Sequence, residues 1–120
     1  MDVFRETLRR LSERVEGVRG VSLIGRDGIA VDTVLREGEA SLELVAAEMT
    51  GFLGSVSAAD LGLHPGAVEQ LSVVTTNAVV VLSTVTREYY LLMLLDRDGN
   101  FGRARFELRK AAGDLMKELV

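Results

Sequence analysis

Tyr89-Tyr90-Leu91-Leu92-Met93-Leu94-Leu95 is a run of seven residues without a charge and without alternation, apolar at odd and even positions alike. A strand reads this way when both of its faces are covered. The run therefore predicts the central strand of a three-layer structure, with helices on either side of a sheet. It is also the longest apolar run in the chain and falls far short of the ~20 residues that cross a bilayer, so no membrane insertion is expected.

Two further strand-like runs precede it, Ala67 to Thr76 and Val79 to Thr86, joined by the short turns Asn77-Ala78 and Arg87-Glu88. The first mixes Glu69, Gln70, Ser72 and Thr75 with Leu71, Val73 and Val74, the pattern of a half-exposed edge strand. Connections this short make antiparallel neighbours. After the central run, Asp96 to Asn100 form a turn. Asn100 can cap a final helix whose buried stripe is Phe101, Ala104, Leu108, Ala111, Leu115 and Leu119.

At the other end of the chain, Asp2 can cap a helix with Phe4, Leu8, Leu11 and Val15 on one face, and Gly17 provides the exit. Val21 to Gly25, Arg26-Asp27-Gly28 and Ile29 to Val34 read as a hairpin around an Asp-Gly turn. A second helix is expected from about Ser41 to Leu61. It carries a stripe of large residues, Leu42, Val45, Met49, Phe52, Val56 and Ala59. Roughly opposite lies a stripe of mostly small ones: Leu44, Ala47, Gly51, Gly54, Ala58 and Leu61. One stripe covers the sheet; the other is left to be explained.

The 120 residues contain no cysteine and carry a net charge of −4. One domain, residues 1–120, is the natural reading at this length. The absence of cysteine removes disulfide and thiolate-metal frameworks and fits a reducing compartment, and with no apolar signal core at the N-terminus a soluble cytoplasmic protein is expected. The acidic balance argues against general nucleic-acid binding. Charge is nevertheless uneven, −4 over residues 36–60 and +2 over residues 101–120.

Little catalytic chemistry is available. His64 is the only histidine and stands beside Pro65 in a loop, with no second ligand at metal-like spacing. Asp27, Asp96 and Asp98 fall in turns, where their carboxylates bond nearby amides. Nothing matches the phosphate-binding loop pattern, so no cofactor is expected. Tyr89 and Tyr90 are expected in the core with a tethered hydroxyl. Arg5, Arg9, Arg10 and Arg14 on the first helix and Arg103, Arg105, Arg109 and Lys110 on the last are interleaved with Glu6, Glu13 and Glu107, as on a salt-bridged solvated face.

Two segments resemble the roadblock family, named for a dynein light chain and including bacterial MglB-like regulators of Ras-like GTPases. The first is Val21-Ser22-Leu23-Ile24-Gly25-Arg26-Asp27-Gly28-Ile29-Ala30-Val31, similar to the family's first hairpin. The second is Asp96-Arg97-Asp98-Gly99-Asn100-Phe101-Gly102-Arg103-Ala104-Arg105-Phe106-Glu107-Leu108-Arg109-Lys110-Ala111, similar to the lead-in of its last helix, although many relatives have Pro where this chain has Arg97. The resemblance implies a roadblock/profilin-like α/β (α+β) fold of order α-β-β-α-β-β-β-α. Its five-stranded antiparallel sheet has the order 2-1-5-4-3, with helices 1 and 3 on one face and helix 2 on the other.

An exposed edge strand without Pro or Lys and a helix spending two glycines on one side both call for a second molecule. A homodimer joined strand 3 to strand 3, with helix 2 beside its mate, uses both features, and the resemblance implies the same dimer. The expected dimer interface is Ala47, Gly51, Gly54, Ala58, Leu71 and Val73. The expected partner-binding face is Leu44, Ala47, Glu48, Gly51, Ser55 and Ala58. The resemblance implies a Ras-like small GTPase as the partner on that face, bound by a non-catalytic regulator. The chain lacks the C-terminal tail of some GTPase-activating relatives, which favours binding over activation. A GTPase-independent scaffold working through the same sheet is the alternative.

Overall fold

The computed structural model describes residues 2–58 and 66–119, leaving out the side chains of Ser57 and Ala58. The elements are α1 (Val3–Arg14), β1 (Val18–Gly25), β2 (Ala30–Leu35), α2 (Glu43–Ala58), β3 (Gln70–Val74), β4 (Ala78–Thr84), β5 (Tyr89–Asp96) and α3 (Phe101–Leu119). All neighbouring strand pairs are antiparallel and the sheet order is β2-β1-β5-β4-β3. The expected order of elements and strands is observed.

The unalternating run explains the layers. In β5, Leu91, Met93 and Leu95 enter the core shared with α1 and α3, beside Leu8, Leu11 and Leu108. Tyr90, Leu92 and Leu94 enter the core under α2, with Leu42, Ala46, Met49 and Leu53. Both sets are buried, and truncating any of these leucines to Ala leaves a cavity costing about 2–5 kcal/mol.

Local chemistry sets the helix ends. Asp2 Oδ1 accepts from the Phe4 amide at 3.0 Å, Ser41 Oγ from the Glu43 amide at 3.0 Å, and Asn100 Oδ1 from the Arg103 amide at 3.0 Å. Each satisfies an N–H that the first helical turn leaves without a partner. At one corner of the sandwich the α1 exit and the α3 lead-in meet. The Asp96 amide donates to Gly17 O at 2.8 Å and the Asn100 amide to Glu16 O at 3.0 Å. Gly17 has φ +89, and a Cβ on it would stand 2.6 Å from Gly99 Cα, so two backbones touch here.

The main departures from expectation are two strand boundaries and one helix phase. β1 begins at Val18 rather than Val21, because Val18 pairs with Leu95 across a register shift. β3 is confined to Gln70–Val74 instead of running from Ala67 to Thr76. The α2 phase is rotated. Ala46, Met49 and Leu53 are its buried residues, with Leu42 just before it, while Val45 is half-buried and Phe52 is exposed. The helix is apolar on nearly every side, so spacing alone gives it no unique phase. What orients it is polar. The Tyr90 hydroxyl donates to the Ala46 carbonyl at 3.2 Å and contacts the Thr50 hydroxyl. Burial pushes the Tyr90 phenol above its ordinary pKa, which keeps it a neutral donor.

Candidate functional site

The outward face of α2 is composed of residues that the core does not use. Leu44 is 83% and Phe52 51% exposed, and Ala47, Glu48, Gly51, Gly54 and Ser55 are exposed beside them. Glu43 and Glu48 are the only charged residues of the helix. A Cβ added to Gly51 or Gly54 would meet nothing within 4 Å. Each glycine costs roughly 1 kcal/mol relative to Ala in a helix interior, and nothing within the described residues requires that cost. Ala58 lies at the end of α2 with its side chain outside the described residues, as do Ala59, Leu61 and His64.

Beside this helix lies the β3 edge. Leu71 and Val73 pack against the core under α2. On the other face, Gln70 Nε2 donates to Ser83 Oγ at 2.9 Å and to the Arg105 carbonyl at 3.0 Å. The ladder register fixes which backbone groups are free. The Thr84 amide donates to Glu69 O and the Thr75 amide to Ala78 O, so by alternation Leu71 and Val73 bond β4 while Gln70, Ser72 and Val74 turn N–H and C=O outward. No described strand or side chain pairs with those outward groups. The sequence singles out Leu71 and Val73 at this edge. The residues with free backbone are their neighbours, a distinction that needs the register and is invisible in composition.

The opposite edge, β2, is treated differently. The Arg36 amide donates to Arg19 O, so by alternation Asp32 bonds β1 while Thr33 faces outward. The Asp32 carboxylate accepts from the outward Thr33 amide at 2.9 Å, and Arg5 of α1 donates to the same carboxylate at 2.8 Å. The Arg5 guanidinium foremost, and then the Thr33 amide, hold Asp32 below the usual carboxylate range.

The remaining candidates resolve into structure. Arg14 and Arg103 flank the buried Glu107 carboxylate at 3.7 and 3.3 Å. Arg10, Arg14 and Lys110 line a cleft of about 170 Å³ between α1 and α3 that also contains Glu107 and Asp114. Asp27 Oδ1 accepts from the Ile29 amide at 3.0 Å, the turn chemistry expected of it. Asp96 instead takes Arg36 at 2.6 Å, within a cluster where Arg19 pairs with Glu39 at 2.8 Å. Among the described residues no three carboxylate, imidazole or thiol groups converge as a metal site would require, and no helix is long and apolar enough to cross a membrane.

A five-stranded antiparallel sheet with two helices on one face and one on the other, presenting an unpaired edge beside an exposed helix, defines a roadblock/profilin-like interaction module. The Roadblock/LC7 domain model matches residues 4–95, and the chain belongs to that family. The MglC crystal structure from Myxococcus xanthus is 33% identical, over 96% of this chain and 98% of that one, with TM-score 0.69. A Roadblock/LC7 domain from Streptomyces avermitilis superposes with TM-score 0.84 at 19% identity, covering 99% of this chain and 98% of that one. The gliding protein MglB from Thermus thermophilus superposes with TM-score 0.83 at 16% identity, covering 94% and 85% respectively. The likeness to MglC is thus one of sequence and fold, and the likeness to MglB one of fold. No curated protein sequence matches the chain.

Proposed function

We propose that residues 1–120 act as one non-catalytic, cytoplasmic module, a homodimer that binds and regulates a Ras-like small GTPase. The observation that carries this reading is the meeting of the open β3 edge with the α2 face on which Gly51 and Gly54 look into empty space. A twofold through Ser72 would pair Ser72 with its mate and Gln70 with the partner's Val74. It would satisfy every outward backbone group of the strand and bring the two α2 helices together. The tetrameric arrangement described for an MglB structure supports assembly in this fold.

The α2 surface then offers Leu44, Glu48 and Ser55 to a further partner, with Ala47 and Gly51 between the two uses. Family membership supports a Ras-like GTPase in that place. Stimulation of hydrolysis in trans would make the protein a GTPase activator that itself supplies no reacting group. The test mixes the purified protein with a Ras-like GTPase encoded beside its gene, loaded with GDP or a GTP analogue, and measures complex mass and hydrolysis rate. A complex formed in one nucleotide state, and lost with Glu48→Arg while the dimer stays intact, is expected. No complex in either state would favour a GTPase-independent scaffold.

A further inference from the structure

We propose that the groove between α3 and the β3–β4 hairpin, on the face of the sheet away from α2, is a second docking surface that takes an acidic amphipathic segment of a partner protein. The groove has a volume of about 300 Å³; Ser83, Thr84 and Val85 line one wall and Arg109, Gly113 and Met116 the other. Phe106 is 54% and Met116 46% exposed, unlike the leucines of the same helix that face the sheet.

The charge around α3 is segregated. At about 100° per residue, Arg105, Phe106, Arg109, Gly113, Met116 and Lys117 fall within a sector of about 120°. No acid falls in that sector. The acids of α3 sit on its other flank, where Glu107 and Asp114 line the α1 cleft and Glu107 takes Arg14 and Arg103. Arg105 stacks over the Phe101 ring at 5.2 Å, and Arg109 and Lys117 make no ion pair with a described residue. Glu69, on the strand side, is the acid that lines the groove. Gly113 repeats the α2 pattern: a Cβ there would meet nothing within 4 Å, so a partner backbone can approach closely.

The sheet thus separates an apolar face of α2 whose only charges are carboxylates from an apolar crest of α3 whose only charges are cations. α2 carries carboxylates and no cation. The α3 groove has cations along its apolar crest, and electrostatic complementarity selects an acidic occupant.

Two synthetic helical peptides about four turns long, sharing one Leu/Phe stripe but flanked by Glu in one and Lys in the other, would be titrated into the isotope-labelled protein. Amide shifts would map the site and fluorescence anisotropy would give the affinity. The Glu peptide is expected to shift Ser83 to Val85, Arg109, Gly113 and Met116. Binding should weaken about tenfold or more in Arg109→Glu/Met116→Asp and less in the exposed Lys117→Glu, which leaves the core untouched. Glu48→Arg on α2 should leave it unchanged, so failure here is separable from failure of the GTPase reading. Equal binding of the Lys peptide, shifts confined to α2, or no shifts with either peptide would overturn the proposal. Shifts at the same positions on diluting the protein alone would assign the groove to a second copy instead.

Discussion

The two edges of the sheet, β2 and β3, face the same physical problem and meet it in opposite ways. At β2 the outward Thr33 amide is taken by the neighbouring Asp32 carboxylate, which Arg5 holds in place from α1. That outward donor is masked by the chain's own side chain. At β3 the outward groups of Gln70, Ser72 and Val74 meet no described partner. An unpaired edge templates assembly, so a chain that masks a donor at one edge and leaves every outward group free at the other favours assembly through β3. A twofold at that edge uses it up.

The sharpest way to break this contrast is Ser72→Pro. Proline is tolerated in an edge strand where its missing N–H faces outward, so the sheet should survive while β3–β3 pairing is lost. Sedimentation at micromolar concentration should show a species near 13.0 kDa in place of the proposed dimer. Val73→Pro removes a bond to β4 and should unfold the protein, which a melt would report. A dimer that persists in Ser72→Pro would place the joint elsewhere.

Opening the other edge is the converse test. Asp32→Ala frees the Thr33 amide, and species larger than a dimer should accumulate with concentration; an unchanged distribution would remove Asp32 from this role. Acid should do the same to the unaltered protein. Because its pKa is depressed in the folded state, what Asp32 contributes is present at neutral pH. It is lost as pH falls below about 4 and through the lowered value. The smallest effect separates monomer from dimer. In the Ser72→Pro background Gly51→Ala and Gly54→Ala should each stabilise the helix by about 1 kcal/mol, raising Tm. In the dimer the same methyls should crowd the neighbouring helix and weaken association.

What the sequence reveals and what it conceals follow from the range of the signals. The centrality of β5 is legible because residues 89–95 are apolar at both parities, and the helix caps are legible because Asp2 and Asn100 act within three residues of themselves. The α2 phase is not legible, since Val45 and Phe52 compete with Ala46 and Leu53 for the core, and Tyr90, distant in sequence, decides between them. The masking of the Thr33 amide at β2 is equally hidden. It joins Arg5 to Asp32 across 27 residues, and neither residue differs in composition from an ordinary solvated charge.

The contact between Gly17 and Gly99 has a consequence for variation. With a Cβ at position 17 falling 2.6 Å from Gly99 Cα, a side chain at that corner would have to push the start of α3 away from the end of α1. The two positions therefore form one joint character in the protein's mutational landscape. A library that randomises Gly17 alone should return glycine almost exclusively, and tags or inserted loops will be better borne at Gly38, where a Cβ would meet nothing within 4 Å.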